Sequence, residues 1–279
     1  MRLLVTFLIW MGIPLLLASC FPAKKHSNES FPVLSKAEWD AVFPHINGGD
    51  SAAIPFYTYE AFVAATKRFP EFLSSTTADI QRRELAAFLA TISHETGGGS
   101  EMDMNSFYDF GLYYKEELTC LNGCDHYSDT TDPYYPPVKG KSYHGRGPIQ
   151  LSWNYNYGLF SEQVLGNKDS LLKNPELLVK NAELSFASAI WFWITPQDPK
   201  PSCHEVMAGK WIPSKQDSLM GRKPGFGAVM NIVNGGLECG GITSSRNKIR
   251  LQYYLAFCKK LGVDPGENLG CETQKPYGM

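Results

Sequence analysis

The sequence predicts a mainly α-helical domain with long functional loops. Apolar residues recur at spacings of three and four in several windows, helix-start and helix-stop residues bracket those windows, and alternating strand patterns are scarce. The length of 279 residues suits one large domain or two small ones, and 43% apolar residues are enough for a real core.

The N-terminus comes first. Arg2 precedes an almost unbroken apolar run from Leu3 to Ala18, the pattern of an export signal. The run is shorter than the roughly 20 residues of a spanning helix. It ends in Leu17-Ala18-Ser19-Cys20, which resembles the lipobox of bacterial lipoproteins. Residues 1–20 are therefore expected to be a signal peptide and the product secreted or extracellular, with a lipid anchor at Cys20 as the alternative. Residues 21–34, with Pro22, Lys24, Lys25, Ser27, Ser30 and Pro32, read as a polar linker. The folded domain is expected over 35–279.

Ser35-Lys36-Ala37-Glu38 reads as a capping box opening a helix through Trp39 and Val42. Thr58 is placed to cap a second helix carrying Phe62, Ala65 and Phe69, interrupted by Pro70. A third spans about Asp79 to His94, with Leu85, Phe88, Leu89 and Ile92 on one face, and Gly97, Gly98 and Gly99 stop it. Residues 100–146 read as a long looped region. Helical patterns resume over Pro175–Trp193 and over Ser244–Leu261, the latter ended by Gly262. No internal repeat or second cysteine-dense module follows.

A net charge of −2 and a pI near 6.3 offer no basic face for nucleic acid. The seven cysteines become six once Cys20 is set aside (7 − 1), and an even set on an exported chain reads as disulfides whose pairing spacing does not choose. Zinc is not expected: Cys120 and Cys124 have no second matching pair nearby.

Glu95 continues the apolar face of the third helix, where a core meets a cleft. Such a position favours the neutral form of a carboxyl group, which protonation of a glycosidic oxygen requires. Taken alone, a Glu there is more often ordinary surface. His94-Glu95 begins like the zinc-protease H-E-x-x-H helix, but Gly98 stands where the second His belongs, and the metal reading fails. Glycoside hydrolysis needs a second carboxylate. Glu116 and Glu117 supply candidates, and spacing does not separate them. The string Gly145-Arg146-Gly147-Pro148-Ile149-Gln150-Leu151-Ser152-Trp153-Asn154-Tyr155-Asn156-Tyr157-Gly158 is more specific. It sets neutral hydrogen-bonding side chains beside aromatic rings, a surface suited to a sugar with amide and hydroxyl groups.

These motifs carry a resemblance. His94-Glu95-Thr96-Gly97-Gly98, Tyr114-Lys115-Glu116-Glu117 and Gly145–Gly158 resemble the glycoside hydrolase family 19 (plant-type) chitinases. So do Ala189-Ile190-Trp191-Phe192-Trp193, Pro199-Lys200-Pro201-Ser202, Gly225-Phe226-Gly227 and the segment 231–239, over roughly residues 36–275. The resemblance implies a mainly α, two-lobed lysozyme-like fold with a long substrate cleft, and endo-acting hydrolysis of β-1,4-linked N-acetylglucosamine polymers with inversion. It makes Glu95 the general acid, Glu117 rather than Glu116 the general base, and Ser152 a holder of the attacking water. Gln150, Tyr155, Asn156, Lys200 and Asn234 match sugar-lining positions, and His94, Glu238 and Arg250 a supporting polar network. Arg250 and Lys200 are expected near the two carboxylates, where they would hold Glu117 ionised. The partner implied is chitin or its oligosaccharides, met by a monomer without metal or cofactor.

The departures matter as well. Gly97 replaces a Thr common in plant members, Tyr135 stands where Trp is usual, and Pro137 replaces one partner of the plant loop disulfide. Cys239 and Cys271 match a family disulfide, Cys120 and Cys124 are expected to form a local bridge instead, and Cys203 and Cys258 an additional one. Two rival readings remain: a peptidoglycan-cleaving muramidase, since lysozyme-like folds share the cleft, and a non-catalytic chitin-binding lectin.

Overall fold

The computed structural model describes residues 33–48, 55–75, 77–98, 106–241 and 245–278. The expected export signal, Cys20, most of the linker and Gly99 lie outside the described residues.

The Ser35 capping box forms as its sequence dictates. The Ser35 hydroxyl accepts from Glu38 N, the Glu38 carboxylate accepts from Ser35 N, and α1 runs Lys36–Val42. Thr58 caps α2, Tyr59–Thr66, through Ala61 N. This helix stops earlier than expected. Phe69, disfavoured from helical backbone by the following Pro70, is buried in the turn instead. Thr77 caps α3, which runs Ala78–Thr96, and every residue from Leu85 to Ser93 is buried. A helix apolar on all sides belongs at a centre, and α3 packs against α10, Ser245–Leu261, along its length.

Further along are α4, Asn154–Leu165, α5, Asp169–Lys173, α6, Ala182–Ile194, α7, Cys203–Met207, α8, Lys215–Leu219, and α9, Phe226–Glu238. The pattern over Pro175–Trp193 resolves into a 3-10 segment, Pro175–Val179, and α6, which packs on α2. Trp39, Phe62, Phe88, Phe186 and Trp193 form an aromatic cluster: Trp39 stacks on Phe62 at 5.2 Å, and Phe88 meets Trp193 edge-on at 5.4 Å. Each such side chain contributes roughly 2–3 kcal/mol by leaving water. Glu84 of α3 is buried here. It accepts from Trp193 Nε1 at 3.1 Å and His204 Nδ1 at 2.7 Å. Lys210 Nζ, which only donates, approaches His204 Nε2 at 2.9 Å and so fixes the tautomer.

Helices α4, α5, α7, α8 and α9 escaped the sequence pattern, and α4 and α9 are the longest of them. Helix α4 begins after Trp153, whose φ of 75° and lack of a side-chain cap give no start signal. Helix α9 contains Gly227, Gly235 and Gly236, which weigh against a helix, yet burial of Phe226, Val229, Met230 and Ile232 holds it. A Cβ at Gly227 would strike the Gly270 carbonyl, so this glycine admits the C-terminal segment. That segment is tied down by Cys239–Cys271 and by Arg222, which donates to Lys275 O and Pro276 O. Among the described residues pairing is limited to isolated bridges, Glu116↔Arg146, Arg146↔Leu151 and Gln197↔Lys200.

Cys120–Cys124 is bonded as expected, but the expected Cys203–Cys258 bridge is not formed. Both are free thiols on α7 and α10, buried where they pack as small apolar side chains. Burial pushes both up, Cys258 to about 11. Counting cysteines pairs them without seeing which way each one faces.

Candidate active site

The end of α3 and the strand-like segment 115–117 face one another across a cavity of ≈ 520 Å³, and Glu95 and Glu117 both line it. Glu95 is delivered by the last turn of α3 before the Gly97 cap. A Cβ at Gly97 would lie 2.6 Å from the Tyr253 hydroxyl, so here the absent plant threonine could not fit without moving that ring.

The expectation of an apolar setting for Glu95 is corrected, because Arg250, fully buried on α10, stands directly behind it. Its Nη2 donates to Glu95 Oε1 at 2.5 Å and Glu238 Oε1 at 2.7 Å, and its Nε to Glu238 Oε2 at 2.9 Å. Burial opposes its charge, but the two carboxylates outweigh burial and push the guanidinium up. Asn234, at the kink of α9, donates to Glu238 Oε1 at 3.2 Å and lines the cavity. His94 Nε2 lies 3.9 Å from Glu238, which would read as an ion pair if the ring were charged. Burial, then Arg250 and Arg246, hold His94 well below its ordinary value. The ring is neutral, and the contact is polar packing.

The choice between Glu116 and Glu117 follows from local pairing. Glu116 bridges Arg146, and Glu117 N donates to Gly145 O at 2.9 Å. Successive residues of an extended segment face opposite ways. Glu116 turns inward to His144 Nε2 at 3.2 Å and Arg146 Nε at 3.5 Å; its hydrogen bond to His144, then Arg146, hold it below the usual range against the effect of burial. Glu117 faces the cavity, with the Thr119 hydroxyl donating to Oε1 at 3.1 Å. Arg250 engages Glu95 and Glu238, and Lys200 Nζ donates to Ile232 O at 3.0 Å. Arg250 thus stands at a carboxylate of the pair as expected, but at Glu95, and the expectation that the two cations hold Glu117 is corrected: charge along a sequence does not say which carboxylate a long side chain reaches. Burial pushes Lys200 down.

Tyr127 supplies what the loop pattern could not reveal. It lines the cavity, and burial, then its hydrogen bond to Glu117, pushes its hydroxyl up to about 12. Asn154, fully buried, organises its loop by donating to Asp129 O and Tyr135 O and accepting from Asp129 N.

The floor comes from residues 149–156. Gln150 at φ 51° and Trp153 at φ 75° turn the backbone sharply. Gln150, Ser152 and Asn156 line the cavity. The Ser152 hydroxyl donates to Gln150 O at 2.9 Å, leaving Oγ lone pairs as acceptors. Asn156 Nδ2 donates to Ser152 O, leaving its carbonyl oxygen for a donor. Ile149, Leu151, Trp153, Phe192, Val233 and Leu237 complete the wall. Tyr155 and Lys200 do not line it: Tyr155 is 36% exposed and stacks on Trp153 at 5.8 Å. Tyr135 turns to α4, its ring over Gly158 and its hydroxyl on Glu162 at 2.6 Å. Cys120, Cys124 and His126 cluster within 4.8 Å, but the two sulfurs are consumed in their bond and offer no metal ligand.

A helical domain that sets two carboxylates and a row of amides and hydroxyls around one groove belongs to the lysozyme-like glycosidases. Residues 33–271 match the family 19 glycoside hydrolase model, chitinase class I, and the chain belongs to that family. It is 47% identical over 88% of its length to chitinase 10 of Oryza sativa subsp. japonica, covering 82% of that protein. It is 45% identical to the endochitinase of Carica papaya, covering 88% of this chain and 98% of that one. An inactive chitinase-like protein 1 of Hevea brasiliensis is 44% identical, over 88% of this chain and 76% of its own. Chitinase C from Streptomyces griseus HUT6037 superposes with a TM-score of 0.67 at 31% identity, covering 86% of this chain and 97% of that one.

Proposed function

We propose that the chain is an endo-acting chitinase that cleaves β-1,4 linkages between N-acetylglucosamine units in a single displacement with inversion. The observation that carries this reading is that Glu95 and Glu117 line one cavity with Gln150, Ser152, Asn156 and Asn234. Arg250 engages Glu95 Oε1, and Oε2 is assigned as the proton-bearing oxygen that meets the glycosidic oxygen. Glu117 takes a proton from the attacking water. Ser152 Oγ, whose own hydrogen is committed to Gln150 O, accepts the water's second hydrogen bond and aims its lone pair at the anomeric carbon. Inversion requires carboxyl groups roughly 6.5–9.5 Å apart, with the water between them. The neutral amides of Gln150, Asn156 and Asn234 suit the acetamido groups of chitin.

The enzyme is proposed to act as an exported monomer, without metal or cofactor. The Leu3–Ala18 run supports export, and the Ser19-Cys20 junction is the place for a lipid anchor if one is attached.

The test uses chitohexaose. NMR of the first-formed products should show the α-anomer, Glu95→Gln should abolish turnover, and that variant should still bind the oligosaccharide. A β-anomer, or turnover by Glu95→Gln, would overturn the mechanism. The inactive relative motivates one second reading, a chitin-binding lectin. Release of many soluble sugars per protein molecule would exclude it.

A further inference from the structure

The segment that follows Glu117 is poorly anchored by packing. Leu118 and Leu121 are 52% and 59% exposed, and Cys120 is the buried residue between them. The short 3-10 turn Leu118–Cys120 has no side-chain cap. Yet its neighbour Glu117 must be held to within a fraction of an ångström if it is to aim a water.

A closed circuit of contacts runs around that residue. Glu116 Oε2 meets His144 Nε2 at 3.2 Å, and His144 Nδ1 meets Ser142 Oγ at 2.8 Å. Ser142 Oγ accepts from Cys124 N at 2.9 Å and stands 2.9 Å from Cys124 O. Cys124 is bonded to Cys120, whose amide donates to Glu117 O at 3.1 Å. The circuit leaves the chain on one side of Glu117, through Glu116, and returns on the other, through Cys120. His144 is 2% exposed, so its links are shielded from water. Glu116 is also gripped by the bridge to Arg146.

We propose that this ring, Glu116–His144–Ser142–Cys124–Cys120, positions the catalytic base, and that Ser142 and the local disulfide are positioning elements for the reaction and not merely for folding. The inference rests on the assignment of Glu117 as base. In this role the disulfide clamps the exposed turn to the 142–146 segment, and Ser142 is the link through which the clamp reaches Glu116. Breaking the ring at either place frees the same segment, so the two breaks should not compound.

The experiment compares Ser142→Ala, the pair Cys120→Ala with Cys124→Ala, and all three changes together, in chitohexaose hydrolysis well below each melting temperature. Each break should lower kcat roughly 10-fold with KM unchanged, and the triple variant should fall no further than either alone. Ser142→Thr, which keeps the hydroxyl, should recover activity. Oligosaccharide binding should be unchanged when the same breaks are placed in a Glu95→Gln background. Full kcat in both broken variants, multiplicative losses in the triple variant, or a loss carried by KM would overturn the proposal. Glu117→Gln separates the two levels. If it is inactive while the broken variants are fully active, the ring alone fails. If it retains turnover, the base assignment fails and takes the ring with it.

Discussion

Arg250 shows how much one buried residue decides. It holds Glu95 and Glu238 at once with no exposed surface. Arg250→Ala strands the fully buried Glu238 carboxylate and should cost about 3–5 kcal/mol, read as a fall in urea midpoint together with lost turnover. His94 adds a pH dependence whose sign is fixed. Its folded value lies well below the unfolded 6.5, so between the two the unfolded chain binds more protons. Stability attributable to His94 is complete above about pH 6.5 and declines as pH falls through that window. Thermal melts of His94→Gln should show a flatter acid limb than the parent; parallel curves would reject the assignment. Residue identity was legible in the sequence and residue direction was not. Glu95, Ser152 and Gln150 stood out in motifs, whereas Tyr127 lies in a loop with no periodicity. The turning of Glu116 away from the cavity depends on a bridge to a residue 30 positions on (146 − 116). The partners of Arg250 and Lys200 depend on how α9 and α10 pack, which no local pattern contains.

Elements with chemical punctuation could be read in advance. Ser35 and Glu38 announce α1, Thr58 announces α2, and Gly97 ends α3. Ser35→Ala should cost about 1 kcal/mol. Glu38 also engages Arg82 at 2.7 Å; burial raises it, and the Ser35 amide and Arg82 overrule that to bring it to about 2. Its contribution is present above the unfolded value of 4.5 and is lost as pH falls toward 2, so Glu38→Gln should narrow the stability difference between pH 5 and pH 2 in chemical denaturation. Helices α4 and α9 were hidden for opposite reasons. The first starts on a strained Trp153 instead of a cap, and the second carries glycines that only its covering segment explains.

At the scale of the whole molecule, the acid side is assembled from α3, α9 and α10, and the opposite side from segments 115–127 and 145–156. The Cys239–Cys271 bond spans 32 residues and locks the C-terminal cover over α9. Replacing both cysteines with alanine should cost roughly 3–4 kcal/mol, seen as a lower melting temperature with two-state behaviour retained. Peptide mapping after alkylation of the native protein should leave Cys203 and Cys258 unlabelled; labelling either would contradict their burial. The positive-φ residues Gln150 and Trp153 bring a conflict of interest into any laboratory evolution of this protein. Non-glycine residues in such conformations cost on the order of 1–3 kcal/mol each, so a library screened for heat resistance alone would drift toward glycine at both positions. It would enrich sturdier clones whose groove has lost an amide and an indole, and the screen would report success while the catalyst was being dismantled.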